Sequence, residues 1–304
     1  MIKKLLTFLS VILCSLSVYA TETKIDIRYD GIYLDHINLA QLEKVYKDYR
    51  YLDYLYMPEW KYPPIFLMSL PTDFQTVTDS QKRNKLFLQM MIPLALKINQ
   101  EITFERWDIE AVSKAYQEAK KLTTAQIKFL EEKAEKYDIF TRLKDDSRYE
   151  YILTELKEKV DIIPPSLLIG IAAIETNWGT NRPARLGNSL YRDLVWHTDE
   201  GLEPLDEKED KTYRYKIFPS LYESMKSKAL KINSSINYQM FRFGRAQIRY
   251  REVPMLGRDV AYNFLQDSNL QNYAGILDYT ITFYELSNID EAELLPLSLP
   301  NEKK

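Results

Sequence analysis

The sequence predicts a mainly α protein, and three features carry that expectation. Glycine is scarce, with 8 in 304 residues, and only Gly31 precedes Gly170. Apolar residues recur at helical spacing, as in the stripe Leu86, Met90, Leu94 and Ile98. Proline, serine and threonine stand at the edges of the periodic stretches, where helices begin. A chain rich in Leu, Ile, Lys and Glu and poor in glycine favours helices over a sandwich or a phosphate-cradling fold. Hydrophobic residues make up 45% and charged residues 28%, enough for a packed core and too polar for many membrane spans.

Residues 1–20 read as a secretory signal peptide. Lys3 and Lys4 supply the positive start, Leu5 to Val18 an apolar run too short to span a bilayer comfortably, and Val18-Tyr19-Ala20 the small residues of a cleavage site. The product is expected to be exported, either periplasmic or secreted, with membrane attachment only through an uncleaved signal. Leu13 is bulky where a lipoprotein signal wants a small residue before Cys14. Cys14 is the one cysteine and leaves with the signal, which excludes cysteine nucleophiles, disulfides and cysteine metal sites from the mature chain. Losing Lys3 and Lys4 moves the formal net charge from −3 to −5, so no electrostatic footprint for nucleic acid exists.

Residues 21–62 are crowded with tyrosine and lack a clean period, and read as an extended segment and a short helix wrapping the rest. Residues 63–145 read as an N-terminal helical region punctuated by Pro63, Pro64 and Pro71. Within it, residues 79–106 form a helix that Pro93 should kink or divide. Residues 108–120 and 123–137 form two more, with Thr123 or Thr124 as N-cap. Residues 146–287 read as a second domain. It opens with a helix over 146–159 that turns Tyr151, Leu153 and Leu156 inward. Pro164-Pro165-Ser166 then starts a second helix, with Ser166 as its N-cap. Residues 187–216 change character and read as a small lobe of loops and a hairpin. Helices follow at 219–237, 258–266 and 270–287, and 288–304 reads as a loose tail.

The helix after Pro165 carries the functional signal. Residues 167–174 have no polar side chain, so the helix is buried, and Glu175 closes it. A carboxyl at the end of an apolar helix suits a general acid, because low dielectric favours its protonated form. The competing reading is structural: a Glu in the last turn that reaches solvent or pairs with Arg182 or Arg185. Trp178 is expected on the same helix face as Glu175, and Gly179 as the residue that ends the helix.

Ala172-Ala173-Ile174-Glu175-Thr176-Asn177-Trp178-Gly179 resembles the A-x-x-E-[ST]-x-W-G signature of the bacterial N-acetylglucosaminidase domain family, and more closely its Bax-like branch. Asn188-Ser189-Leu190-Tyr191 is similar to the family's Asn-x-Leu-Phe-Gly segment, with Arg192 in place of the glycine. Gly201-Leu202-Glu203-Pro204 and Tyr213 to Phe218 resemble that branch's loop and returning strand. Upstream, Phe87, Pro93, Leu94, Asn99, Ile102 and Arg106 resemble its N-terminal helices. The resemblance implies a lysozyme-like α-helical domain with a small loop and β-hairpin lobe, preceded by an N-terminal helical extension. It implies a glycosidase acting on peptidoglycan or a related N-acetylglucosamine polymer at β-1,4 bonds, with no amidase activity. Glu175 is the implied general acid. Its partner acid falls in the 200–210 loop, among Glu203, Asp206, Glu207 and Glu209, with Glu203 and Glu207 favoured. Trp178 and Tyr191 are candidate walls for a sugar ring, and Tyr262 and Tyr273 lie near where the wider group has a site tyrosine, although one position of the family's usual tyrosine pair falls near Asp267 or Ser268.

The sequence contains no G-x-G-x-x-G, G-K-[ST], H-E-x-x-H or G-x-S-x-G pattern, so nucleotide binding, a metal site, a cofactor and a serine triad are not expected. His36 and His197 are isolated. Two rivals to hydrolysis stay open: a lytic transglycosylase, which works with one acid, and a catalytically silent wall-binding scaffold.

Overall fold

The computed structural model describes residues 22–197, 200–205, 212–264 and 273–298, with 262–264 described by backbone alone. Residues 1–20, read from the sequence as a signal peptide, and the end of the tail lie outside them.

The wrapping segment is more regular than its sequence suggests. Strand β1 (Lys24–Arg28) pairs antiparallel with β2 (Gly31–Asp35). Helix α1 (Leu39–Asp48) follows, capped by Asn38 and Gln41 in a reciprocal capping box. Strand β3 is Lys61–Tyr62, and β4 (Ile65–Leu67) adds to the first sheet parallel to β2.

Helix α2 (Ser80–Ala119) is the spine of the fold. It runs unbroken for 40 residues, where the sequence suggested a helix kinked or divided at Pro93 and a second from 108; the division does not occur. Pro93 has no N–H to give the Gln89 carbonyl, but the buried Tyr51 hydroxyl donates to that carbonyl at 2.9 Å. A tertiary donor therefore replaces the bond that the ring removes. Helix α3 (Thr124–Lys136) starts at Thr123 through a second capping box, as expected.

Helix α4 (Ser147–Lys159) turns Ile152, Leu153 and Leu156 inward; Tyr151, expected there, is exposed instead. Helix α5 (Pro165–Glu175) follows, then α6 (Arg182–Gly187). Strands β5 (Leu194–Trp196) and β6 (Tyr213–Tyr215) form the antiparallel hairpin of the small lobe. Helices α7 (Leu221–Ser234), α8 (Gln239–Tyr250), α9 (Gly257–Phe264) and α10 (Tyr273–Phe283) complete the helical set. The tail is anchored rather than loose: β7 (Glu293–Leu294) pairs with β3, and Leu295 N–H donates to the Tyr62 carbonyl at 2.8 Å.

A single hydrophobic cluster runs from Ile32 to Ile289. At its centre α5 is buried along its length and packs on α2, α9 and α10. Gly170 makes the last of these contacts close, since a Cβ there would stand 2.7 Å from Leu277 Cδ1.

The approach to α5 is held by a buried ionic knot. The Arg245 guanidinium, 1% exposed, donates to the carbonyls of Glu158, Lys159, Asp161 and Ile162 and to Asn233 Oδ1. Burial lowers its pKa to about 10, against the pull of Asp161. The Asp161 carboxylate takes a forked contact from Arg249 at 2.7 and 3.0 Å. Burial pushes the Asp161 carboxyl up, but the Arg249 hydrogen bonds and the charges of Arg245, Arg249 and Arg106 outweigh it and hold the group below the ordinary carboxylate range. From α2, Asn99 exchanges two hydrogen bonds with the backbone of Ile163, and Arg106 donates to the carbonyls of Lys157 and Val160.

Asp161→Asn is expected to destabilise the fold by about 3–5 kcal/mol, the cost of stripping the carboxylate from a buried cation. Denaturant unfolding measures it. Because the native Asp161 pKa is depressed, its contribution is present above the unfolded carboxylate pKa and is lost on acidification. The acid limb of the stability curve should therefore flatten in the variant.

Candidate active site

Helix α5 fixes both ends of the candidate site. At its start, Pro164 occupies the N-cap and Pro165 the first turn, so Ser166 is not the cap that its sequence position suggested. Ser166 instead sits fully buried within the first turn. Its N–H and hydroxyl both donate to Asp290 at 2.8 Å, and the Gly257 N–H adds a third bond to the same carboxyl. A Cβ on Gly257 would lie 2.1 Å from the Ser166 Oγ, so only glycine permits this approach of α9. Burial raises the Asp290 carboxyl to about 6, although the three donors pull it down.

At its other end, the helix stops at Glu175. Thr176 caps it, the Trp178 N–H reaches back to the Ala173 carbonyl at 2.8 Å, and Asn181 Nδ2 donates to the Glu175 carbonyl at 2.8 Å. Asn181 also caps α6 by accepting from the Ala184 N–H at 3.0 Å. The turn between the helices holds Asn177, Trp178 and Gly179 at positive φ. Trp178 has therefore left the helix, and the same-face argument fails. Its ring packs on Tyr284 at 4.7 Å and Phe87 at 6.2 Å.

The Glu175 side chain is 21% exposed. Two groups meet its carboxylate. The Tyr273 phenol on α10 lies near it, and burial together with the Glu175 charge raises that phenol far above its ordinary range. The Arg192 Nε lies 3.9 Å from Glu175 Oε2, and the Arg192 side chain is 56% exposed. Arg192 supplies the cation that the sequence reading assigned to Arg182 or Arg185. At that distance and exposure the pair is weak, so Glu175 is steered rather than locked. Arg182 is turned elsewhere and donates to the Glu203 carbonyl.

Of the sequence-predicted site residues, the structure brings Glu175 and Tyr273 together. Tyr191 is core rather than a sugar wall: it is buried, and its hydroxyl donates to the Leu168 carbonyl at 3.2 Å. Glu203 is 70% exposed and bound to Arg214 at 2.8 Å, a solvated pair on the lobe. Asp206, Glu207 and Glu209 lie outside the described residues, as does the side chain of Tyr262.

Sequence reasoning missed Asp193 and its surroundings. Asp193 is 15% exposed, its Oδ1 stands 3.9 Å from Lys231 Nζ, and its Oδ2 is buried without a hydrogen bond. Burial raises its carboxyl pKa against the pull of Lys228, Lys231 and Lys216. Lys228 donates to the Tyr238 hydroxyl at 3.0 Å and lies over the rings of Tyr191 and Tyr238. The one sequence signal for Asp193 was a carboxylate opening a short apolar strand directly after the segment resembling the family pattern.

Comparison with known proteins follows from this geometry. Residues 150–286 match the glucosaminidase family model, described as mannosyl-glycoprotein endo-beta-N-acetylglucosaminidase. Protein bax of Escherichia coli (strain K12) is 31% identical over 182 residues, covering 60% of this chain and 61% of that protein. The chain thus spans about three fifths of that relative. Among solved structures, the catalytic domain of the autolysin Auto from Listeria monocytogenes is 18% identical, covering 60% of this chain and 96% of that one, with a TM-score of 0.29.

The Asp290 contacts generate a stability prediction. With a native value near 6 and an unfolded value near 4, Asp290 contributes fully below pH about 4, and that contribution is lost as pH rises through about 6. Unfolding free energy in the wild type should lose up to about 3 kcal/mol from this group across that window. Asp290→Asn should abolish that component. Urea titrations at several pH values compare the two, and identical pH slopes would refute the assignment.

Proposed function

From the premise that residues 150–286 carry a glucosaminidase-family domain, we propose that this protein cleaves β-1,4 bonds of an N-acetylglucosamine-containing cell-wall glycan, with Glu175 as general acid. The observation that carries the reading is the nearness of the Tyr273 phenol to Glu175 at the end of a buried helix. The carboxyl donates its proton to the glycosidic oxygen, and the leaving sugar departs as an alcohol. The Tyr273 hydroxyl orients the carboxyl, and the Arg192 charge stabilises the carboxylate left behind. Asn181 holds the helix end from which Glu175 projects. Export to the periplasm or the medium, proposed from the leader sequence, would put the enzyme beside its substrate.

Glu203, one of the partner acids proposed from the sequence, is engaged by Arg214 and faces solvent. Asp206, Glu207 and Glu209 lie outside the described residues, so beside a partner acid from that loop stand two chemistries in which the substrate supplies the second group. One is substrate-assisted hydrolysis, in which the 2-acetamido oxygen attacks the anomeric carbon. The other is lytic transglycosylation, in which a sugar hydroxyl attacks and no water is consumed. Mass spectrometry of fragments formed in ¹⁸O-water separates them: hydrolysis incorporates one label, and transglycosylation gives an unlabelled anhydro sugar.

Glu175→Gln should fold normally and lose at least about a hundredfold in cleavage rate, the scale of a missing general acid. Full clearing in a cell-wall zymogram would remove Glu175 from the mechanism. Tyr273→Phe keeps the ring and removes the hydroxyl. It should lower kcat by about tenfold, the scale of one hydrogen bond to a charged group, with unchanged circular dichroism.

A further inference from the structure

Four cations gather around Asp193, beside the candidate acid, and the proposed reaction uses only one of them. Arg192 sets its Nε 3.9 Å from Glu175 Oε2. The next residue, Asp193, has Lys231 Nζ 3.9 Å from its Oδ1. Lys216 is held to the same place through its backbone, whose N–H donates to the Asp193 carbonyl at 2.8 Å. Lys228 stands one turn before Lys231 on α7, and its ammonium lies 5.6 Å from the centre of the Tyr191 ring. Consecutive Cα atoms are about 3.8 Å apart. These contacts therefore tie all four cations to one short segment, 191–193, that also approaches Glu175.

Arg192, Lys216, Lys228 and Lys231 face two carboxylates, Glu175 and Asp193, in a chain whose formal net charge is −3. The ion pairs are loose. Arg192 Nε and Lys231 Nζ both lie beyond hydrogen-bond length from the carboxylate oxygens they face, and their side chains are 56% and 54% exposed. Lys216 is exposed, with its ammonium 4.7 Å from the centre of the Phe218 ring. Lys228 lies deeper and is engaged by the Tyr238 hydroxyl. Three solvent-facing cations thus present donors to an incoming acceptor, while the largely buried Asp193 offsets their mutual repulsion. Arg192 stands where the resembling family has glycine, so this charge belongs to the chain's own sequence.

The fitting ligand carries an anion close to the bond that Glu175 protonates. On a cell-wall glycan that anion is a carboxylate, borne either by an acidic substituent of the sugar or by a peptide attached to the strand. We propose that Arg192, Lys216 and Lys231 form a carboxylate subsite beside Glu175, through which the protein selects acid-bearing strands over neutral N-acetylglucosamine polymers. The inference rests on the proposed function for the glycan. It deepens that reading by naming the group that decides which strand is held. Lys228 and Asp193 act as positioning residues, one through Tyr191 and Tyr238 and the other through the cations around it.

The test uses the full chain carrying Glu175→Gln, so that ligand is not consumed, and calorimetry with four tetrasaccharides. One is N-acetylglucosamine alone; one alternates it with N-acetylmuramic acid; one is that strand with its carboxyls amidated; the last carries peptides amide-linked at those carboxyls. A free-carboxylate strand should bind about tenfold more tightly than the two neutral ones, the scale of two exposed ion pairs, and added salt should erase the gap. Tight binding of the muramic acid strand assigns the acid to the sugar, and tight binding of the peptide strand assigns it to the peptide; either supports the subsite. Equal affinity for all four overturns it. Lys216→Gln and Lys231→Gln should each weaken the favoured strand by about three- to fivefold and leave the neutral strands unchanged. In the active protein the same loss should fall on KM rather than kcat. Lys128→Gln removes an equal charge from a 79% exposed side chain on α3 and should change neither; an equal loss there overturns the subsite in favour of the field of the whole protein. Lysine-dependent selection in a protein that cleaves no glycan supports the subsite and overturns the catalytic reading. Cleavage without selection does the reverse.

Discussion

The position of the candidate acid depends on a contact at the far end of its helix. Arg245 gathers four backbone carbonyls from residues 158–162 into one buried guanidinium, and Asp161 supplies the countercharge. Those residues are the approach to α5, so the knot fixes where the helix begins. From there an α-helix has no freedom in rise, and 11 residues place Glu175 about 16 Å further on. Asp290 locks the same end by binding the first-turn N–H and hydroxyl of Ser166, the N-terminal position where a carboxylate complements the helix dipole. The long spine α2 adds Asn99 and Arg106 to the same short segment. The N-terminal helices are thus part of the frame that aims the acid.

Glu175 itself sits at the unfavourable end of that dipole, where a negative side chain gains nothing from the helix. Its carboxylate is met instead by groups from other parts of the chain: Tyr273 from α10 and Arg192 from the loop before the hairpin. The close packing of α10 on α5 at Gly170 is what lets Tyr273 arrive. Packing in the core and polar approach at the site are one arrangement, and neither helix could shift along the other without moving the Tyr273 phenol away from Glu175.

Much of this was legible in the sequence, and the exceptions share a cause. Helical period and capping residues located α3 and α4, and the apolar run ending in a carboxyl located α5 and Glu175. Errors arose wherever a distant residue overrode a local rule. Pro93 breaks helices by removing a donor, yet Tyr51, 42 positions upstream in the chain, restores a donor to the Gln89 carbonyl. Trp178 was placed on a helix face that Asn181 and Gly179 end too early to include it. Ser166 looked like a cap and is held inside the helix by Asp290, 124 residues away. Asp193 left almost no trace, because the charges that meet its carboxyl come from lysines on α7 and the returning strand. Spacing along the chain reports period and local turns; it does not report which remote side chain completes a bond.

Positive φ occurs at non-glycine positions from His36 to Glu285 among the described residues, and four of these positions flank the candidate acid. Asn177, Trp178, Asn188 and Arg192 all adopt left-handed φ between 47° and 58°, which side-chain-bearing residues avoid. Two asparagines tolerate this well, but tryptophan and arginine do not, and each such residue costs on the order of 1 kcal/mol or more. Each strained position does something a relaxed one could not. The Trp178 conformation returns its N–H to the last turn of α5 and drops its ring onto Phe87 and Tyr284. The Arg192 conformation turns the chain where the resembling family has glycine, and it sets a guanidinium beside Glu175. A glycine there would relieve the backbone and remove the cation. At Trp178 and Arg192 local propensity is overruled, and what each conformation gains is a contact at the end of α5 rather than a relaxed backbone.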